Sequence, residues 1–217
     1  MTSADNKLFC ENPISKIVLA GWYGAGNLGD ELLLSRMIRA VRFRGMEPIV
    51  VSLDPIYTTH FHSVQSIDFE DLDALKSAID GAYACVLGGG GLFQTYSSFR
   101  YACLFDFNLG DVTSYARPVL LAQQLGVPTA LLAQGVGPLA TPESQEIVFS
   151  LFSSVSCFSV RDAFSRDLLH SIGVRCDIAI APDPIWGWEV PELPQLIHAQ
   201  SKTKIVLVVR DWPFISG

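Results

Sequence analysis

Along this chain, apolar runs the length of a buried strand alternate with segments the length of a helix. No other feature limits the fold as strongly. The strand-like runs are 16–21, 47–53, 83–88, 128–133, 156–160, 175–180 and 203–210, and the helix-like segments are 30–44, 69–80, 111–126, 141–154 and 162–171. Strands that alternate with helices assemble as right-handed βαβ units around a mostly parallel sheet. Such strands are covered on both faces and read as continuous apolar runs. An apolar content of 49% with only 17% charged residues fits that burial, as does a mean hydropathy of +0.32. The expected fold class is therefore α/β, a Rossmann-like parallel sheet flanked by helices. Thr141, Pro142 and Glu143 make a good helix start, and Gly45 and Gly126 fall where helices should stop.

After Asp183 the pattern changes to a connector dense in proline and aromatics, which includes Trp186 and Trp188, and then to a new buried strand ending at Arg210. A further βαβ unit needs more residues than follow. The expected organisation is a tail (1–15), a Rossmann-like domain (16–184), a connector (185–202) and the first strand of a second α/β domain (203–217).

The chain carries a net charge of −7 and has no basic stripe, which argues against a nucleic-acid partner. The first residues lack the basic start and apolar stretch of a signal peptide. The most apolar region, 118–140, is interrupted by glutamines and prolines, so no transmembrane segment is expected. A cytoplasmic location follows from these two expectations. The five cysteines (Cys10, Cys85, Cys103, Cys157 and Cys176) are scattered and odd in number, as expected of free thiols in a reducing compartment. His60 and His62 could share one face of a strand, but no third ligand lies nearby. A solvated loop is the expectation there, and no metal is assigned.

In open parallel sheets, ligands bind beyond the carboxyl ends of the strands, where the strand order reverses. Three glycine-rich loops fall at such ends: 21–29, 88–91 and 134–138. The first contains a G-x-G-x-x-G triplet (Gly24, Gly26 and Gly29) and admits three readings. A dinucleotide could place its pyrophosphate on the following helix, with Asp54 as the ribose-binding acid. Asp30 and Glu31 would stand beside that pyrophosphate and repel it. Both acids suit a helix start when no anion binds, with Asn27 or Asp30 capping free N–H groups. The third reading is a carboxylate that faces a hydroxyl-bearing substrate.

The run from Gly21 to Glu31, with Leu87 to Gln94, Ala133 to Pro138, Ser159 to Asp162 plus Ser165, and Pro182 to Pro184, resembles the signature of polysaccharide pyruvyl transferases of the CsaB type. The order and spacing agree from about residue 16 to 184 and again at 208–210. The resemblance implies transfer of a pyruvyl group from phosphoenolpyruvate, as donor substrate and with no cofactor, to two hydroxyls of a saccharide as a cyclic ketal. The acceptor in such systems is a lipid-linked or polymer-bound saccharide of the cell wall or an exopolysaccharide. The implied architecture is a two-domain fold of the GT-B kind, of which this chain is the N-terminal half. The family's histidine and much of its basic donor-binding region belong to the second domain.

That chemistry needs a carboxylate within reach of a hydroxyl and cationic forks for the donor's carboxylate and phosphate. Asp30 is the candidate carboxylate, with Arg100 as a second catalytic candidate. The candidate substrate-binding residues are Asn27, Gly29, Gly89, Gly90, Gly91, Gln94, Gln134, Arg161, Asp183 and Arg210. Capping or packing is the structural alternative for most of them. A dinucleotide-dependent oxidoreductase and a non-catalytic saccharide-binding fragment stand as competing functions.

Overall fold

The computed structural model of the chain describes residues 15–95, 100–104 and 112–187. Among the described residues there are eight strands: β1 (Lys16–Ala20), β2 (Glu47–Ser52), β3 (Gln65–Asp68), β4 (Ala84–Leu87), β5 (Gly90–Phe93), β6 (Thr129–Val136), β7 (Cys157–Val160) and β8 (Ala179–Ile180). Six helices join them: α1 (Leu28–Phe43), α2 (Pro55–His62), α3 (Leu72–Ile79), α4 (Val112–Gln124), α5 (Pro142–Ser154) and α6 (Ala163–Ser171). The spatial order is β3-β2-β1-β4-β6-β7-β8, and β5 pairs with β6. Every described ladder is parallel. The α/β, Rossmann-like expectation is met.

Two apolar layers hold the sheet. On one face Ile17, Leu19 and Val50 pack with Tyr23 and with Leu34, Met37 and Ile38 of α1. On the other, Val18, Ala20, Cys85, Leu87 and Leu131 meet Leu75 and Ile79 of α3, Val119 of α4, Leu151 and Phe152 of α5 and Leu169 of α6. Each fully buried side chain of this kind contributes about 1.5–3 kcal/mol. Successive crossovers leave β1 toward β2 and leave β4 toward β6, so the strand order reverses between β1 and β4. Their carboxyl ends, Gly21 and Gly88, bound the crevice that such a reversal opens.

Three local expectations are corrected. The stretch that carries His60 and His62 is not a solvated loop: Asp54 caps α2 by accepting the Tyr57 N–H (2.9 Å), Pro55 opens the helix, and β3 follows. His60 and His62 therefore lie on a helix and not on a strand face. Nor is 88–91 a loop at a strand tip. The chain breaks at Gly88 and Gly89 and resumes as β5, which runs on beside the far half of β6. Finally, the run at 175–180 forms only the two-residue β8. Cys85 is buried, Cys157 and Cys176 are exposed, and all three are free thiols. The tail up to residue 14, the connector from Trp188 onward and the strand 203–210 lie outside the described residues.

Candidate functional site

The loop after β1 is built around a fully buried tyrosine. Tyr23 turns its ring inward, its hydroxyl lies 3.4 Å from the Met37 sulfur, and its carbonyl accepts the Leu53 N–H at 2.9 Å. This draws Gly24 against the end of β2, where a methyl group would collide with the Ser52 hydroxyl and lie 2.7 Å from the Asp54 nitrogen. Close approach of the chain to itself thus accounts for that glycine. The Gly24 N–H donates to Glu31 Oε1 (2.8 Å), and Asn27 caps α1, its Oδ1 accepting the Gly29 N–H at 2.9 Å. The donors that a pyrophosphate would use at Gly24 and Gly29 are therefore occupied from within the chain, and Asp54 is engaged as the cap of α2.

Asp30 stands half-buried in the first turn of α1. It faces Gly90, where a methyl group would sit 3.3 Å from Asp30 Oδ1. The φ of +131° at Gly90 also favours glycine. Burial, then the charge of Glu31, then that of Asp183 raise the Asp30 carboxyl from the ordinary 3.8 to about 6. Asp183 itself closes the short turn Pro184–Gly187, its Oδ1 accepting the Ile185 N–H at 3.0 Å. Trp186, in that turn, is exposed.

The seam between β4–β5 and β6 forms the other wall. Gly88 has no room for a side chain, because the Tyr23 hydroxyl fills it. Gly89 lies against the Ala133 carbonyl, 3.3 Å from where a methyl would be. Gln134 is fully buried and its Nε2 donates to the carbonyls of Leu87 (3.0 Å), Gly88 (2.6 Å) and Leu132 (3.1 Å), so it stitches the break between β4 and β5. The Arg161 guanidinium lies flat over Gly135, 2.7 Å from a methyl position there, and one of its nitrogens is 3.7 Å from the equivalent position on Gly91. Gln94 Nε2 lies 2.6 Å from that same position on Gly91. Gln94 Oε1 is buried and has no hydrogen-bond partner among the described residues.

β7 and the residues that follow it hold Arg161 in place. Ser159 Oγ accepts the Ala133 N–H and Ser165 Oγ accepts the Val136 N–H, each at 2.9 Å. Asp162 caps α6 through the Ser165 N–H at 2.7 Å and pairs with Arg161 at 3.4 Å. Desolvation works against the Asp162 charge. The Ser165 hydrogen bonds and the neighbouring guanidinium outweigh it and keep the carboxyl below its ordinary value.

Among the expected site residues, Asp30, Gly90 and Asp183 converge at one point, and Gly91, Gln94 and Arg161 converge beside it. Gly89 and Gln134 lie inside the seam, while Asn27 and Gly29 occupy the exposed end of the first loop. Arg100 is exposed, and its carbonyl accepts the Thr113 hydroxyl at 3.3 Å. Arg210 lies outside the described residues. Two partners of the site were not anticipated, Glu31 and His62. Glu31 shares the inward stripe of α1 with Leu34 and Ile38, so the helical period alone marks it as a buried acid in need of a partner. No group of acids, histidines or cysteines among the described residues could hold a metal ion, and no helix among them is long and apolar enough to cross a membrane.

Comparison with known proteins places this geometry in context. The family model described as polysaccharide pyruvyl transferase matches residues 27–215, which is most of the chain. No curated protein matches it.

Proposed function

Because the chain belongs to the polysaccharide pyruvyl transferase family, we propose that it serves the transfer of a pyruvyl group from phosphoenolpyruvate to a saccharide in wall or exopolysaccharide synthesis, in the cytoplasm. One hydroxyl oxygen of the saccharide bonds to C2 of the donor, and C3 takes up a proton to become a methyl group. The C2–O bond to phosphate then breaks. A second hydroxyl closes the ring on C2 and gives up its proton.

The observation that carries this reading is the carboxyl of Asp30, raised to about 6 where the strand order reverses. A group that is present in both protonation states near neutrality suits a reaction that moves protons on and off the reactants. Asp30 takes the hydroxyl proton in this scheme. Asn27 and Gly29 flank it on the acceptor side. Arg161, supported on Gly135 and Gly91, presents a fork that suits the donor's carboxylate or phosphate. The buried Gln94 Oε1 offers an acceptor for a sugar hydroxyl. Roles for Asp183, Arg100 and Arg210 at the donor and acceptor are part of the same proposal. A dinucleotide is disfavoured because Glu31 and Asn27 occupy the N–H groups it would need.

The test is phosphate release from phosphoenolpyruvate across a panel of saccharide acceptors, for the wild type and for Asp30→Asn. Release that requires a saccharide and collapses in the variant supports the proposal. Turnover of nucleotide sugars in place of phosphoenolpyruvate, or an unaffected Asp30→Asn, would reject it.

A further inference from the structure

A buried carboxylate–imidazole hydrogen bond lies directly behind the first glycine loop. The Glu31 side chain is 3% exposed and that of His62 is 4% exposed, and His62 Nε2 is 2.7 Å from Glu31 Oε2. The other oxygen of the same carboxylate accepts the Gly24 N–H at 2.8 Å. One carboxylate therefore joins three parts of the fold: the turn after β1, the first turn of α1 and the last residue of α2. A carboxylate this deeply buried needs its oxygens satisfied, and His62 is its side-chain donor among the described contacts.

Four features fix where His62 can reach. The Phe61 ring packs edge-on to the imidazole, with centroids 4.8 Å apart. Ser63, at a φ of +50°, ends α2 immediately afterwards. Arg42, in the last turn of α1, donates to the Ser63 carbonyl at 2.6 Å, so α1 grips the end of α2 a second time. Thr58 anchors the helix from beneath, its hydroxyl 2.7 Å from that of Ser52 at the end of β2. The imidazole is therefore held by the packing of α2 and not by the loop it supports.

We propose that His62 is a positioning residue: through Glu31 it holds the Gly24–Gly29 turn, and with it Asp30, in the working geometry. The mechanics follow from the contacts. Without a donor at His62, the carboxylate loses the partner that aims it at Gly24, and the turn is released from its anchor. Asp30 lies one residue before Glu31 and moves with it. The assignment of a catalytic consequence rests on the proposed role of Asp30, whereas the holding of the turn does not.

The experiment compares the wild type with His62→Gln, whose amide keeps a donor at similar reach, and His62→Leu, which keeps only bulk. Hydrogen exchange at the Gly24 amide is the first readout, with Val18 and Leu19 as core references. His62→Leu should lose protection at Gly24 by about tenfold or more, as expected when a hydrogen bond to a buried charged group is removed. Protection at the core references should stay unchanged, and His62→Gln should recover most of what is lost at Gly24. In the transferase assay, kcat should fall by about tenfold in His62→Leu, the KM for phosphoenolpyruvate should change little, and His62→Gln should again rescue.

Unchanged Gly24 protection in His62→Leu, or equal damage in the two variants, would overturn the proposal. Should His62→Leu fail to fold, nitrogen-15 spectra of the wild type decide: Nε2 must carry the proton, and an unprotonated Nε2 at neutral pH would overturn it. The expected loss and rescue of Gly24 protection, with no transferase activity in any arm, would support the positioning role and count against the proposed function alone.

Discussion

Replacing Asp30 by asparagine should make the protein more stable at neutral pH and less active. The side chain keeps its shape and loses its charge. The carboxyl is raised from 3.8 to about 6 by burial, Glu31 and Asp183. A raised carboxyl favours folding most when both states are protonated, below about 3.8. That contribution is lost as the pH climbs to and through about 6, because the unfolded chain ionises first. The rise corresponds to about 3 kcal/mol. Asp30 is only partly buried, so solvent screening should leave about half of that, roughly 1–1.5 kcal/mol. For a chain of this size, such a gain raises the melting temperature by about 2–6 °C. The assay is thermal unfolding of wild type and variant in matched buffers from about pH 4 to 7.5. The curves should converge near pH 4, part progressively between about pH 4 and 6, and keep a constant gap above about pH 6, with the variant on top. In turnover assays the same variant should lose about a hundredfold or more, as for removal of a group that moves protons. A variant that is less stable at pH 7.5, or a gap that does not depend on pH, would refute the account of Asp30's surroundings.

Three further outcomes follow from the same geometry. Glu31→Gln removes the second cause of the Asp30 shift, so the Asp30 midpoint, followed by carbon-13 NMR of the carboxyl, should fall below about 6 and stay above 3.8 because burial remains. Gly88→Ala forces a methyl group into the Tyr23 hydroxyl, which is fully buried. It should cost about 1–3 kcal/mol in denaturant unfolding. Arg161→Lys keeps the charge and discards the planar fork laid over Gly135. It should raise the KM for phosphoenolpyruvate by about tenfold or more, with a smaller effect on the KM for the acceptor.

Much of this fold is legible in the sequence because buried parallel strands announce themselves as apolar runs. β1, β2, β4 and β7 fall within such runs, and β6 begins in one (128–133) but runs on through Gln134 and Gly135 to Val136, residues that read as a loop. What escaped is decided by pairing and not by local pattern. β5 begins in a glycine run that reads as a turn, and it becomes a strand only because β6 extends past Gln134 to offer it an edge. α2 contains aromatic and β-branched residues that favour strands, yet the Asp54 cap, Pro55 and the Thr58–Ser52 contact make it a helix. In the site, the resemblance names Asp30, Gly90 and Arg161, and each lies on or against a glycine segment. It did not separate them from Gln134, whose full burial becomes visible only once β4, β5 and β6 are aligned. The role of Glu31 was hidden for a related reason. Its place on the inward stripe of α1 marks it as buried, and only the position of His62 shows which partner lets it turn inward.

The central claim is that the residues gathered at the strand-order reversal serve pyruvyl transfer. It is tested most directly by incubating the protein with a saccharide acceptor and phosphoenolpyruvate labelled with carbon-13 at C2. The account predicts a new ketal carbon on the acceptor and one phosphate released for each ketal formed. Phosphate release that leaves the label in free pyruvate, with no ketal on any acceptor, would contradict it.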